Sequence, residues 1–104
     1  MDYRATEEQQ YATLFLAGEL DMAVGEKVGS LLREYGERNQ SVTVDFREVT
    51  FVDSSGIGSL FFTTKELLAK GKQIEIVNVQ EEIMDILRLL GFAEALGIAV
   101  TQAE

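Results

Sequence analysis

The feature that most restricts the fold is an orderly alternation between short strand-like runs and apolar stripes with helical spacing. Four strand-like runs occur, at Tyr11–Ala17, Ser41–Phe46, Gln73–Val77 and Leu96–Val100. The helical stripes between them consist of Val24, Val28, Leu31, Leu32 and Tyr35, then Ile57, Leu60, Phe61, Thr64 and Leu68, then Ile83, Ile86, Leu87 and Leu90. Such alternation predicts a parallel sheet with right-handed crossovers.

An additional edge strand is expected at the start of the chain. Met1–Thr6 can pair with the first run as a hairpin, with Glu7–Gln10 as its turn. We therefore predict an α/β fold with a mixed, mostly parallel sheet of four or five strands and three or four helices. A single domain is expected over residues 1–104, with its core at about 11–100 and a loose tail at 101–104.

The predicted topology brings three segments to one place. In a parallel sheet, every loop from a strand to the next helix emerges at the same edge. Gly18–Asp21, Glu48–Ser55 and Asn78–Gln80 are such loops, so we expect them to cluster. The alternation of apolar and polar residues in Ser41–Phe46 and Gln73–Val77 further suggests that one sheet face is less fully covered than the other.

Composition excludes several classes of function. The chain has no cysteine and no histidine, which excludes disulfides, the common zinc sites and the usual base of a nucleophilic triad. We expect no metal and no cofactor. The net charge of −9 disfavours binding to nucleic acid or to an anionic membrane surface. The chain shows no secretory signal and no membrane span, so a cytoplasmic location is expected.

The segment Asp53-Ser54-Ser55-Gly56-Ile57-Gly58 departs from local helix preferences. Asp53, Ser54 and Ser55 are all good N-cap residues, although a helix needs only one cap. Gly56 and Gly58 then fall in the first turns of the helix, where each glycine costs up to about 1 kcal/mol relative to alanine. Departures of this kind often mark a functional site, because they allow a partner to approach closely.

Several chemistries do not fit this segment. It lacks the first glycine of a hydrolase nucleophile elbow, the lysine of a phosphate-binding loop and the third glycine of a dinucleotide fingerprint. A hydrolase that uses Ser54 would need a carboxylate or a lysine as its base. The remaining possibility is a hydroxyl at a helix start that carries a phosphate, since a helix N-terminus stabilises an anion. The residues alone do not choose between Ser54 and Ser55.

The chain resembles the STAS-domain anti-sigma factor antagonists of bacteria. The resemblance covers about residues 11–100 and is carried by Gly18-Glu19-Leu20-Asp21, Phe51-Val52-Asp53-Ser54-Ser55-Gly56-Ile57-Gly58, Gly71-Lys72 and Ile86-Leu87 through Gly91-Phe92. It implies that Ser54 is phosphorylated by a partner that is both anti-sigma factor and serine kinase. The unphosphorylated form would bind that partner and release sigma factor, and a metal-dependent serine phosphatase would restore it.

The resemblance implies that the protein is a substrate and a ligand, not an enzyme. The residues expected to bind the partner are Asp21, Asp53, Ser54, Ser55, Gly56, Ile57 and Gly58. The alternative is a scaffold of the same fold without a phosphate cycle, in a lipid-transport or sensory complex. The protein is expected to be a monomer or a weak dimer.

Some positions leave two interpretations open. Gly25 and Gly29 indicate either a late start of the first helix or a close contact with another element. Asp21 is a helix cap, a partner-facing carboxylate or both, and Asp53 either caps the second helix or orients Ser54 and helps a kinase take its proton. Phe62 packs on another helix or contacts the partner. Ser59 stands where the family more often has an apolar residue, and the chain stops soon after Val100, where relatives often continue into a further helix.

Overall fold

The computed structural model describes residues 1–104, which form five strands and four helices. The strands are β1 (Asp2–Glu8), β2 (Tyr11–Leu20), β3 (Ser41–Val52), β4 (Gln73–Val79) and β5 (Ala99–Gln102). The helices are α1 (Met22–Arg38), α2 (Ser54–Ala69), α3 (Glu81–Leu90) and the short α4 (Phe92–Leu96). None of the helices combines the length and apolar character needed to cross a membrane.

The strands lie in the sheet in chain order, from β1 to β5. β1 pairs with β2 in antiparallel fashion, and the remaining neighbours are parallel. The mixed, mostly parallel sheet that the alternation predicts is therefore confirmed, as is the edge strand at the start of the chain.

All four helices cover the same face of the sheet. Leu14, Val44 and Ile76 lie side by side on neighbouring strands and point into this layer. They belong to one cluster of 21 buried apolar residues that also includes side chains from every helix, among them Val28, Leu60, Leu87 and Phe92. One-sided coverage follows from chain-order strands joined by crossovers of a single hand.

The opposite face of the sheet, here called the open face, is polar. Tyr11, Thr43 and Glu75 lie on it, and their side chains are linked by hydrogen bonds. The Thr43 hydroxyl donates to Glu75 Oε1 at 2.8 Å and also bonds the Tyr11 hydroxyl. The prediction that one face is less fully covered agrees with this arrangement.

The turn between β1 and β2 is shorter than expected. Glu7 and Glu8 belong to β1, so only Gln9 and Gln10 remain as the connection. Their φ angles are 47° and 72°, the positive values that a tight two-residue hairpin turn requires at both positions. The prediction missed this because glutamine is not a typical residue at such positions.

Two predicted loops are largely strand. β2 and β3 continue to Leu20 and Val52, because they keep pairing with each other beyond residue 17 of β2. Register shifts interrupt the ladder on both sides of Gly18, so the apolar residues no longer alternate and the sequence pattern fades. The third predicted loop also shrinks, since β4 reaches Val79.

The end of the chain differs from the predicted strand at Leu96–Val100. Leu96 closes α4, and β5 begins three residues later at Ala99. The expected loose tail is partly ordered, because Thr101 and Gln102 lie in β5 and the Ala103 amide donates to the Val79 carbonyl at 2.8 Å. A helix of five residues is too short to show the apolar periodicity on which the prediction relied.

Close packing explains the glycines of α1. The helix starts at Met22, ahead of both Gly25 and Gly29, so a late start is excluded. A Cβ at either position would stand 2.8 Å from a hydroxyl oxygen of α2, that of Ser59 or of Thr63. The two helices therefore approach each other more closely than larger side chains would allow.

Candidate functional site

The first two strand-to-helix junctions meet at one edge of the sheet. Each is a single residue, Asp21 between β2 and α1 and Asp53 between β3 and α2. The Asp53 amide donates to the Leu20 carbonyl at 3.1 Å, which joins the two junctions through the backbone. The N-termini of α1 and α2 therefore lie next to each other, as the topology argument predicts.

Asp53 connects the two helix starts with one carboxylate. Its Oδ1 accepts a hydrogen bond from the Gly56 amide of α2 at 2.7 Å. Its Oδ2 accepts from the Met22 amide, the first of α1, at 3.2 Å. Asp53 is therefore a cap for its own helix and also for its neighbour.

Asp21 caps α1 from the other side of the junction. Its Oδ1 accepts from the amides of Ala23 and Val24, at 3.0 and 3.2 Å. Between them, the two aspartates satisfy amide groups that the first turns of both helices leave without an intrahelical partner. They also place two carboxylates beside the positive ends of two helix dipoles.

Ser54 and Ser55 are the first two residues of α2, and both are exposed to solvent. Amides at these positions of a helix have no carbonyl to bond within it, and they point toward the space beyond the helix end. An anion attached to either hydroxyl would meet these donors. The arrangement can thus accept a phosphoryl group, although the exposure of both serines does not distinguish them.

The remaining residues of the segment divide between core and surface. Gly56 and Ile57 are buried, and Ile57 is only 3% exposed. Gly58 lies on the surface of α2. The surface that a second molecule can touch directly therefore consists of Ser54, Ser55 and Gly58, with the two capping aspartates beside them.

The third junction lies apart from this edge. Gln80 donates through its side-chain amide to the Arg47 carbonyl at 2.9 Å, and Asn78 donates to the Asp45 carboxylate at 2.8 Å. Arg47 and Asp45 both lie in the middle of β3, six and eight residues before Asp53. The structure brings together two of the three predicted loops, and the third supports the sheet where β3 and β4 separate.

Two apolar side chains near the site are exposed, and the sequence had named only Phe62, as packing on another helix or contacting the partner. Met22, the first residue of α1, is 74% exposed, and Phe62 of α2 is 65% exposed. Phe61 is the aromatic residue that packs internally, with its ring edge-on to Phe92 at 5.7 Å between centroids. The adjacency of Phe61 and Phe62 predicts that one ring lies outside the core, since a helix cannot bury both on one face. No sequence signal marked Met22.

These features define a class of protein: a one-sided α/β module with an exposed serine at a doubly capped helix junction. The model of the STAS domain family matches residues 3–104 of the chain. The chain belongs to the STAS domain family.

The chain is similar to proteins of two different kinds. An anti-sigma-B factor antagonist of Listeria monocytogenes is 22% identical over 98 residues, which cover 93% of this chain and 86% of that protein. The low affinity sulfate transporter 3 of Stylosanthes hamata is 33% identical over 60 residues, which cover 58% of this chain. The matched segment is only 9% of the transporter's length.

The anti-sigma factor antagonist SpoIIAA has a similar fold. Its unphosphorylated form gives a TM-score of 0.72 at 18% identity and covers 99% of this chain and 90% of that one. Its phosphorylated form gives a TM-score of 0.70 at 19% identity and covers 95% of this chain and 90% of that one. At these identities the likeness shows the fold.

Proposed function

We propose that the protein is an anti-sigma factor antagonist that is switched off by phosphorylation of Ser54. In the unmodified form it binds an anti-sigma factor that is also a serine kinase, and sigma factor is released. The observation that carries the proposal is the exposed hydroxyl of Ser54 at the first position of α2, next to the Asp53 carboxylate. Asp53 is held by two hydrogen bonds, so it presents a fixed environment to an approaching kinase.

Charge explains how phosphorylation would act as a switch. A phosphoserine carries about −1.5 to −2 charges at neutral pH. At Ser54 this charge would stand beside the carboxylates of Asp21 and Asp53, on a chain whose net charge is already −9. The helix amides would hold the phosphate in place, while the surface would no longer match a partner that fits the bare hydroxyl.

The proposed binding surface follows from the same geometry. Asp21, Asp53, Ser54, Ser55 and Gly58 would contact the partner directly. Gly56 and Ile57 would contribute by placing the start of α2, because both are buried. In this role the protein is a substrate and a ligand, and a metal-dependent serine phosphatase returns it to the binding form.

The names of similar proteins support this function. An anti-sigma-B factor antagonist matches nearly the full length of the chain, and SpoIIAA was solved with and without phosphate. These names describe those proteins. Their extension to this chain rests on the shared fold together with the position of Ser54.

The first test maps the modified residue. The protein is incubated with the anti-sigma factor kinase of its own host and ATP, and the labelled position is read by mass spectrometry. We expect one phosphate on Ser54. Ser54→Ala should abolish labelling, while the matched neighbour Ser55→Ala should retain it. Equal labelling of wild type and Ser54→Ala would rule out the assignment.

The second test measures the switch itself. Calorimetry with the same anti-sigma factor should show binding of the unmodified protein and a large loss of affinity for the protein carrying phosphoserine at position 54. Like charges brought together at an interface can cost several kcal/mol. Equal affinity of the two forms would exclude a phosphorylation switch.

A scaffold role is the second candidate, and the sulfate transporter match favours it. The protein would then belong to a lipid-transport or sensory complex and have no phosphate cycle. Affinity capture from native extract followed by identification of the partner distinguishes the two. A histidine-kinase-like ATPase supports the antagonist, and a transporter ATPase supports the scaffold.

A further inference from the structure

Gly58 is the one glycine of the chain that the fold itself does not explain. Four of the nine glycines have positive φ angles, namely Gly18, Gly71, Gly91 and Gly97. Four others, Gly25, Gly29, Gly36 and Gly56, have a neighbouring atom less than 3.0 Å from where a Cβ would stand. A Cβ on Gly58 would meet nothing within 4 Å.

The empty space over Gly58 requires another reason for a glycine. Glycine destabilises a helix relative to alanine, because it loses more backbone freedom on folding and contributes no side chain. The free protein gains no packing in return at this position. A molecule that approaches the helix backbone at Gly58 would supply the missing reason.

The space belongs to an open groove between α1 and α2, with a volume of about 580 Å³. We call it the α1–α2 groove; its lining includes Gly25, Glu26 and Arg33 of α1 and Ser55, Gly58 and Phe62 of α2. Ser55 is part of this lining and follows Ser54 at the start of α2, so the groove is continuous with the candidate site. Phe62 is its single apolar side chain and is 65% exposed, an exposure that leaves most of an aromatic ring available to a partner.

We propose that the α1–α2 groove receives a helix of the anti-sigma factor, so that the binding surface extends from Ser54 along both helices to Phe62. This inference rests on the function proposed above and names the part of the partner that the site accepts. The groove spans Gly25 to Arg33 of α1, a step of eight residues or roughly 12 Å, which corresponds to about two helical turns.

The chemistry of the groove specifies the docking face of that helix. A helix that docks in a groove presents one face of its side chains, with anchors at i, i+3, i+4 and i+7. A small residue would lie over Gly58 and an apolar residue against Phe62. The hydroxyls of Ser30 and Ser59 make the walls polar, as expected for a partner that is released again. Basic flanking residues would match Glu26 and the net charge of −9, since the one cation of the lining, Arg33, is paired with Glu66 at 3.0 Å.

The test compares folding stability with affinity in the same variants. Gly58→Ala should raise the urea midpoint of the free protein, since alanine favours the helix and the space is empty. Gly58→Leu should lower affinity for the host's anti-sigma factor in calorimetry by about tenfold or more, because its side chain fills the groove. Phe62→Ala should also lower affinity by about tenfold or more, as for an aromatic anchor.

Leu89→Ala is the matched control for the loss of an exposed apolar side chain. Leu89 is 90% exposed on α3, outside the groove, so its removal should leave affinity unchanged. If wild type does not bind the anti-sigma factor, the proposed function fails. If wild type binds and the variants at positions 58 and 62 bind equally well, only the groove is excluded. A lower urea midpoint for Gly58→Ala would also overturn the inference, because the glycine would then serve the fold.

Discussion

Gly56 lies directly against the carbonyl group of Leu20, where the start of α2 crosses the end of β2. A Cβ at position 56 would stand 2.8 Å from the Leu20 carbonyl carbon and closer still to its oxygen. The same carbonyl accepts the Asp53 amide, so it cannot move without breaking the junction. We expect Gly56→Ala to destabilise the protein by about 1–3 kcal/mol through overpacking, measured by urea unfolding.

Gly58→Ala is the control for this prediction, because it makes the same change two residues along the helix in open space. The two substitutions should shift the unfolding midpoint in opposite directions. A similar shift for both would mean that helix propensity, and not the contact with Leu20, determines the effect.

Asp53→Ala should destabilise the protein by about 1–2 kcal/mol, since a lost N-cap costs up to about that amount and this residue caps two helices. The sharper readout is hydrogen exchange of individual amides. Exchange at Met22 and Gly56 should both accelerate in Asp53→Ala. Asp53→Ser retains a short acceptor for Gly56, so only Met22 should lose protection. Unchanged exchange at Met22 in both variants would contradict the shared cap.

Thr64→Val should stabilise the protein by about 1 kcal/mol. The Thr64 hydroxyl is fully buried and has no hydrogen-bond partner, so its removal relieves a desolvation penalty without leaving a hole. Thr43→Val provides the contrast, because the buried Thr43 hydroxyl bonds both Tyr11 and Glu75 and its loss should destabilise. Thermal unfolding should give a higher midpoint for Thr64→Val and a lower midpoint for Thr43→Val than for wild type. A lower midpoint for Thr64→Val would mean that the Thr64 hydroxyl has a hydrogen-bond partner after all.

The hydrogen bonds that join Glu7 of β1 to the end of α1 should weaken in acid. Hydrogen bonds from Asn39 and then from Arg38 lower the pKa of Glu7 below its ordinary value of 4.5. A carboxyl group with a lowered pKa in the folded state stabilises fully above its unfolded pKa, and this contribution is lost as the pH falls through the folded value. We therefore expect the protection factors of the β1 amides, corrected for the intrinsic exchange rate at each pH, to fall below about pH 4.5.

Glu7→Gln separates this effect from general acid destabilisation. The variant keeps a carbonyl acceptor for Asn39 but has no group that titrates. At neutral pH the β1 amides of Glu7→Gln should be less protected from hydrogen exchange than those of wild type. Their protection factors should also change less on acidification. An identical pH profile for wild type and Glu7→Gln would place the acid sensitivity elsewhere.

Most of the fold could be predicted because apolar periodicity survives wherever an element is regular. Val42, Val44 and Phe46 alternate as a strand should, and the stripe through Ile83 and Leu87 identifies α3. The failures occur where regularity breaks. Bulges near Gly18 remove the alternation that would have shown the strand ends.

The start of α2 was predictable in position and less so in geometry. Capping preference drew attention to Asp53, but a bond to the Met22 amide depends on two strand ends meeting, which no local pattern records. Phe62 illustrates a further limit. The helical stripe assigns Phe61 to the core, in agreement with its packing on Phe92, but no local pattern records what Phe62 contacts.

The one-sided layering of helices gives the module two surfaces that do not compete. A larger protein could bind this domain through the open face while Ser54 and Ser55 at the start of α2 remained exposed. A sheet that helices cover on both faces has no free face of this kind. The same architecture is therefore compatible with relatives of very different design, one in which the matched segment fills 86% of the protein and another in which it fills 9%.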